Sequence, residues 1–191
     1  MPRQRQFDEE QLLEQAMITF WSTSFEQTSI RDIASDTGVQ AQSLYNTFGN
    51  KENLYLKALA HYVNMAGNEI ERIISVPSDP WQQLSSLLTL NWSVVTYPKG
   101  CMVVNAIGEQ HQATSDEEAV YNSLFNHLIE AFKQVLSQLT PQLNTQQSVS
   151  QLAEMLLVVH NGLQVDLANG GQERRIETTV NTTLKLLKRE E

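Results

Sequence analysis

Gln40, Gln42, Ser43, Asn46 and Thr47 form a cluster of uncharged hydrogen-bonding side chains where a solubilising surface would more often carry Lys and Glu. Gln and Asn can pair in bidentate fashion with the edge of adenine, discriminating between bases by about 1–3 kcal/mol per good contact. Asn50 and Lys51 follow. If Asn50 caps a helix, Lys51 lies in its first turn, where free N–H groups and partial positive charge favour an anion such as phosphate.

The elements that must hold these groups are legible on either side. Ile30, Ile33 and Ala34 have the spacing of a short helix with one buried face. Ser29 can cap it, with Asp32 three residues on as the returning carboxylate of a capping box. Gly38 supplies the left-handed backbone that ends it. Beyond Val39, the positions Ala41, Leu44, Tyr45 and Phe48 start a second apolar stripe over two turns. Two short helices joined by a glycine-containing turn make a helix-turn-helix, whose second helix is the one offered to a DNA major groove.

Thr28-Ser29-Ile30-Arg31-Asp32-Ile33-Ala34, Gly38-Val39, Leu44-Tyr45 and Phe48-Gly49-Asn50-Lys51-Glu52 together resemble the DNA-binding domain of TetR-type transcriptional regulators. The resemblance runs from about Phe7 to Leu59. It implies an all-helical homodimer that represses genes until a small molecule binds its C-terminal domain. It also implies that Ser29, Arg31, Gln40, Ala41, Gln42, Ser43, Tyr45, Asn46, Thr47 and Lys51 occupy the DNA-facing places. Tyr45 and Lys51 resemble phosphate contacts, and Gln42 and Asn46 are the first choices for base reading. Gln40 departs from the pattern, since many members carry Ser or Thr there to cap the recognition helix.

The chain has 191 residues, 41% of them hydrophobic, and one cysteine, Cys101, which cannot form an internal disulfide. Such a length fits one small domain and one larger helical one, here expected as 1–52 for DNA binding and 53–191 for effector binding and dimerisation. No apolar run approaches the length of a membrane span, and no charged-then-apolar leader opens the chain, so a cytoplasmic protein with no membrane partner is expected. The net charge of −9 opposes DNA binding at first sight. Within residues 1–52, Arg3, Arg5, Arg31 and Lys51 stand against eight carboxylates. Few ionic contacts, a shallow salt dependence and a need for dimerisation are therefore expected.

In chain order, a helix is expected from Phe7 to about Ser24 on the stripe Leu12, Leu13, Ala16, Met17, Phe20 and Trp21. A long helix from Lys51 to about Ser75 would link the DNA-binding unit to the rest and could transmit movement. Asp79 and Pro80 open the next helix, expected to run as far as Trp92. Tyr97-Pro98-Lys99-Gly100 is a break, followed by an apolar segment from Cys101. Ser115 with Glu118 reads as a capping box for the helix that carries Tyr121 to Leu136. Two final helices are separated by Asn169-Gly170-Gly171. Leu152, Leu156, Val159, Leu163, Ile176, Val180 and Leu184 form their apolar stripes, and the resemblance implies that this pair meets its copy as a four-helix dimer interface.

Trp92, Tyr97, Cys101, Asn105, Tyr121, His127, His160 and Asn161 are polar or aromatic residues within otherwise apolar segments, so they are candidates to line an effector pocket. The Gly100-Cys101 pair resembles a segment in one branch of the TetR group, some of whose members sense electrophiles or oxidants through that cysteine. Lys99 and His111 would favour the thiolate if close; an inert core cysteine is the plainer alternative. Zinc, di-iron, phosphate-loop and nucleophile-elbow motifs are absent from the sequence, so neither enzyme activity nor a cofactor is expected. The reading is a ligand-responsive repressor that sets one recognition helix per subunit into a pseudo-palindromic operator in double-stranded DNA, the effector being unknown. The alternatives are a helix-turn-helix protein acting mainly through a protein partner and a thiol-based sensor using Cys101.

Overall fold

The computed structural model describes residues 8–90, 97–109 and 112–189. Within them the chain is helical: α1 Glu9–Thr23, α2 Ile30–Thr37, α3 Ala41–Phe48, α4 Lys51–Ser75, α5 Pro80–Thr89, α6 Met102–Gly108, α7 Ser115–Leu139, α8 Val149–Ala168 and α9 Glu173–Leu187. The basic arm and Trp92 lie outside the described residues.

Most boundaries follow from local chemistry. Ser29 and Asp32 form the expected capping box, with Ser29 N–H donating to Asp32 Oδ2 at 2.8 Å and Asp32 N–H to Ser29 Oγ at 3.2 Å. Gly38 ends α2 at φ +68°. Asn50 Oδ1 accepts from Asn53 N–H at 2.8 Å, and Asp79 caps α5 with Pro80 at its start. Other ends differ from expectation. Asp8 is the cap of α1 rather than a residue of its first turn. The capping box of α7 is Thr114 with Glu117, one position earlier than Ser115 with Glu118. The shift places Glu117, only 2% exposed, against the interior and leaves Glu118 in solvent.

α5 stops at Thr89 rather than continuing to Trp92, because Leu90 turns to φ +36°. Side chains from a distant helix satisfy the carbonyls this frees. His160 Nδ1 lies 3.0 Å from both Leu87 O and Leu88 O, and Gln164 Nε2 donates to Thr89 O at 2.6 Å. The end of α4 is treated in the same way, with buried Gln83 Nε2 donating to Ile73 O at 3.1 Å and Val76 O at 3.2 Å. Buried helix ends need such partners, since an unmet carbonyl there costs about 1–3 kcal/mol.

Packing is layered around α4 and α7. α1 lies against α4, α7 bridges α4 and α8, and α5 packs on α7 and α8. Leu12, Ala16, Met17, Phe20 and Trp21 of α1 are buried, as their period predicts. Phe20, Phe25 and Tyr55 form an aromatic cluster, with ring centroids 4.9 Å apart for both Phe20–Tyr55 and Phe25–Tyr55. One continuous core thus runs from beneath the helix-turn-helix into the C-terminal helices.

Candidate nucleic-acid interface and its link to the C-terminal helices

Leu44 and Phe48, 1% and 5% exposed, pin α3 to the core and fix which face it presents. Gln42, Tyr45 and Asn46 are exposed, Tyr45 by 48%, and Ala41, Ser43 and Thr47 are half-buried. Gln42 Nε2 donates to Asn46 Oδ1 at 3.1 Å, so the two amides are held side by side and still offer groups outward. Arg31 and Ser29 are exposed on the neighbouring helix. Gln40 precedes α3 without a side-chain cap bond, consistent with its departure from Ser or Thr.

Lys51 is differently engaged. Its ammonium donates to Phe25 O at 3.0 Å and Thr28 O at 3.2 Å, and sits 4.0 Å from the Phe25 ring centroid. It clamps the turn between α1 and α2 as well as lying near the start of α4. The other side of that turn is held from far along the chain. Glu109, the residue that caps α6, accepts the Phe25 N–H on Oε2 at 3.0 Å. Sequence reading missed this bond, because nothing in the spacing of Phe25 and Glu109 announces it.

Two further ties join α1 to the C-terminal part. Tyr97 Oη donates to Glu14 Oε1 at 2.6 Å, and the Tyr97 and Trp21 rings stack at 6.1 Å. The hydrogen bond to Glu14, with burial and that carboxylate's charge, pushes the Tyr97 hydroxyl up to about 12. Trp21 also meets Tyr62 edge-on at 4.9 Å.

The residues expected to line an effector pocket are scattered over several environments. Cys101 is buried, and burial pushes its thiol up from the ordinary value. Lys99 is exposed, and His111 lies outside the described residues. Tyr121 is buried, its hydroxyl accepting from that of Tyr55, and burial pushes it up to about 12. His127 pairs with Glu71 at 2.7 Å near the surface. His160 is fully buried, and desolvation lowers its imidazole to about 4. Asn161 is half-buried, and its Oδ1 has no hydrogen-bond partner among the described residues. Tyr97 and Asn105 line two different clefts. Among the described residues, no group of three or more His, Cys, Asp or Glu could hold a metal ion.

The expected interface stripe lies largely inside the subunit. Leu152, Leu156, Leu163, Ile176 and Val180 are each 6% exposed or less within one subunit, while Val159 and Leu184 are half-buried. The outward apolar residues of α8 are Met155, Val158 and Val165, 42%, 71% and 49% exposed, and on α9 Leu186 is 73% exposed. The apolar period was legible, but both faces of α8 carry apolar side chains, and the period alone does not say which one the subunit keeps.

Residues 12–58 match the family described as bacterial regulatory proteins, tetR family. Over that stretch the chain carries a DNA-binding domain of the tetR type. It is 26% identical over 191 residues to the HTH-type transcriptional repressor ComR of Escherichia coli (strain K12), covering 96% of this chain and 90% of that protein. A cysteine mutant of the TetR family regulator CifR, complexed with 26-base-pair double-strand operator DNA, is 25% identical with a TM-score of 0.78, covering 97% of this chain and 99% of that one. A TetR family regulator from Agrobacterium tumefaciens shares the fold at 18% identity and a TM-score of 0.81, covering 93% of this chain and 96% of that one.

Proposed function

We propose that this regulator represses transcription by binding a pseudo-palindromic operator as a homodimer, and that a small molecule releases it. The observation that carries the reading is α3, whose buried Leu44 and Phe48 leave the Gln42–Asn46 amide pair facing outward. In the dimer each α3 enters one of two major grooves about one helical turn apart. Gln42 and Asn46 read bases, Tyr45 and Arg31 contact phosphate, and Ser29, Gln40, Ala41, Ser43 and Thr47 complete the facing surface. Lys51 acts chiefly by holding the turn, with its charge available at the edge of the contact.

The dimer forms through Met155, Val158 and Val165 of α8 with Leu186 of α9, a spacing on α8 that also includes Gly162, where backbones can approach closely. No helix among the described residues is long and apolar enough to cross a membrane, which suits work on DNA in the cytoplasm. DNA selected from a random library by the intact protein, then compared with selections by Gln42→Ala and Asn46→Ala, tests the assignment. A two-fold-symmetric preference that each variant relaxes supports it; no preference in the parent protein refutes it.

A further inference from the structure

A cleft of about 320 Å³ opens where the end of α1 faces α6 and the turn before it, with Ser22–Ser24 on one wall and Lys99, Asn105 and Glu109 on the other. The volume is at the small end of the ~300–1,000 Å³ of small-molecule sites. Most of its polar lining is already engaged. Ser22 Oγ donates to Ile18 O at 2.7 Å, Thr23 Oγ1 to Thr19 O at 2.8 Å, and Ser24 Oγ accepts from Gln27 N–H at 3.2 Å. Among the described residues, the Lys99 ammonium and the side-chain amide of Asn105 make no hydrogen bond or ion pair, while the Asn105 backbone N–H donates to Cys101 O at 2.9 Å. Asn105 and Glu109 are four residues apart, with Asn105 on α6 and Glu109 at its end.

The cleft carries both signs of charge. α1 has no basic residue in its last turn, so the partial negative charge of its C-terminal carbonyls is not offset from within the helix. The Glu109 carboxylate adds to that side, whereas Lys99 brings a full positive charge. A simple anion would meet Glu109 and a simple cation would meet Lys99. A small molecule bearing both charges matches the two together.

We propose that this cleft binds a small zwitterion of the α-amino-acid class. Its carboxylate accepts from Lys99 Nζ and the Asn105 amide, and its ammonium donates to Glu109 and the last carbonyls of α1. The ammonium then competes with the Phe25 N–H for the Glu109 carboxylate, which loosens the turn that carries α2 and α3. The effect on DNA rests on the regulator reading above; the binding itself does not.

Isothermal titration of the full chain with glycine, L-alanine, L-valine and L-glutamine, in a buffer free of amines and carboxylates, tests the site. At least one is expected to bind saturably below ~10 mM, and its amide and its N-acetyl derivative to bind about tenfold more weakly, each lacking one charge. Lys99→Met is expected to weaken the amino acid by about tenfold and to leave the weaker binding of the amide unchanged, with an unaltered helical spectrum and unaltered operator affinity when no ligand is added. Saturable binding by none of the four, equal binding by the derivatives, or undiminished binding by Lys99→Met overturns the proposal. Failure of the parent protein to select DNA would refute the regulator reading, while the titration would still decide the site.

Discussion

Glu109 holds Phe25: a carboxylate at the end of α6 accepts, at 3.0 Å, the backbone N–H of a turn 84 positions earlier in the chain. That turn, from Ser24 to Thr28, sets the angle between α1 and the helix-turn-helix. Lys51 holds the Phe25 carbonyl at the same time. One peptide segment is thus gripped from the C-terminal helices and from the start of α4, which gives a movement of α6 a short route to α3.

Replacing Glu109 by Ala removes the acceptor from the residue that caps α6 without touching the helix itself. The Phe25 amide is expected to exchange with solvent roughly ten times faster or more, since a charge-assisted bond contributes about 1.5–3 kcal/mol. Glu109→Gln keeps an oxygen acceptor and should restore part of the protection. Amide exchange followed by NMR reads both variants; unchanged exchange at Phe25 in Glu109→Ala would show that the bond does not hold the turn.

Lys51 has two candidate duties, and its geometry separates them. Bonding to two carbonyls and an aromatic face predicts that Lys51→Met destabilises the protein by about 1–3 kcal/mol. A lysine serving only phosphate would leave stability unchanged and reduce the salt slope of DNA binding by about one. Denaturant unfolding together with salt-dependent DNA affinity distinguishes the two, and a full unit of lost slope with unaltered stability contradicts the clamp.

His160 makes stability depend on pH. Carbonyl oxygens only accept, so the Nδ1 facing Leu87 O and Leu88 O carries the proton, and Nε2 is a buried acceptor with no partner among the described residues. Protonating Nε2 would strand a charge in the core. The folded value of about 4 lies below the ordinary 6.5, so the unfolded chain binds more protons between those values. Stability therefore rises with pH across that window and falls on acidification, by up to about 3 kcal/mol at its lower end. His160→Gln should lose that component of the slope. Parallel curves for parent and variant from pH 6.5 to 4 would exclude the effect.

The two faces of α8 make opposite predictions. Val158→Asp places a charge on the outward face and is expected to yield folded monomers by sedimentation, with little change in helical content. Leu156→Ala, on the inward face at 0% exposure, should cost about 2–5 kcal/mol of stability. Val158→Asp remaining a dimer would move the interface elsewhere.

Caps and periods made much of this legible in advance. Ser29, Asp32, Gly38, Asn50 and Asp79 stand at the helix ends that their side chains or backbone freedom dictate. These are local effects, decided within four residues. The misplacements have non-local causes. α5 ends at Thr89 because His160 and Gln164, over 70 residues away, meet its carbonyls. The α7 box starts at Thr114 because Glu117 has an interior to face. The inward stripe of α8 and the Glu109–Phe25 bond depend on which elements meet, and periodicity carries no such information. Gly100 shows the same limit. Its φ of +83° is typical of a turn glycine, but only the structure shows that a Cβ there would lie 2.7 Å from Gln164 O.

The central claim is that the outward amides of α3 choose the DNA sequence. Affinities of the parent and Asn46→Ala for the selected operator and for unrelated duplex, at one salt concentration, measure it most directly. Asn46→Ala is expected to lose about 1–3 kcal/mol on the operator alone, with binding to unrelated DNA unchanged. Equal affinity of both proteins for the operator, or equal losses on both DNAs, would contradict it.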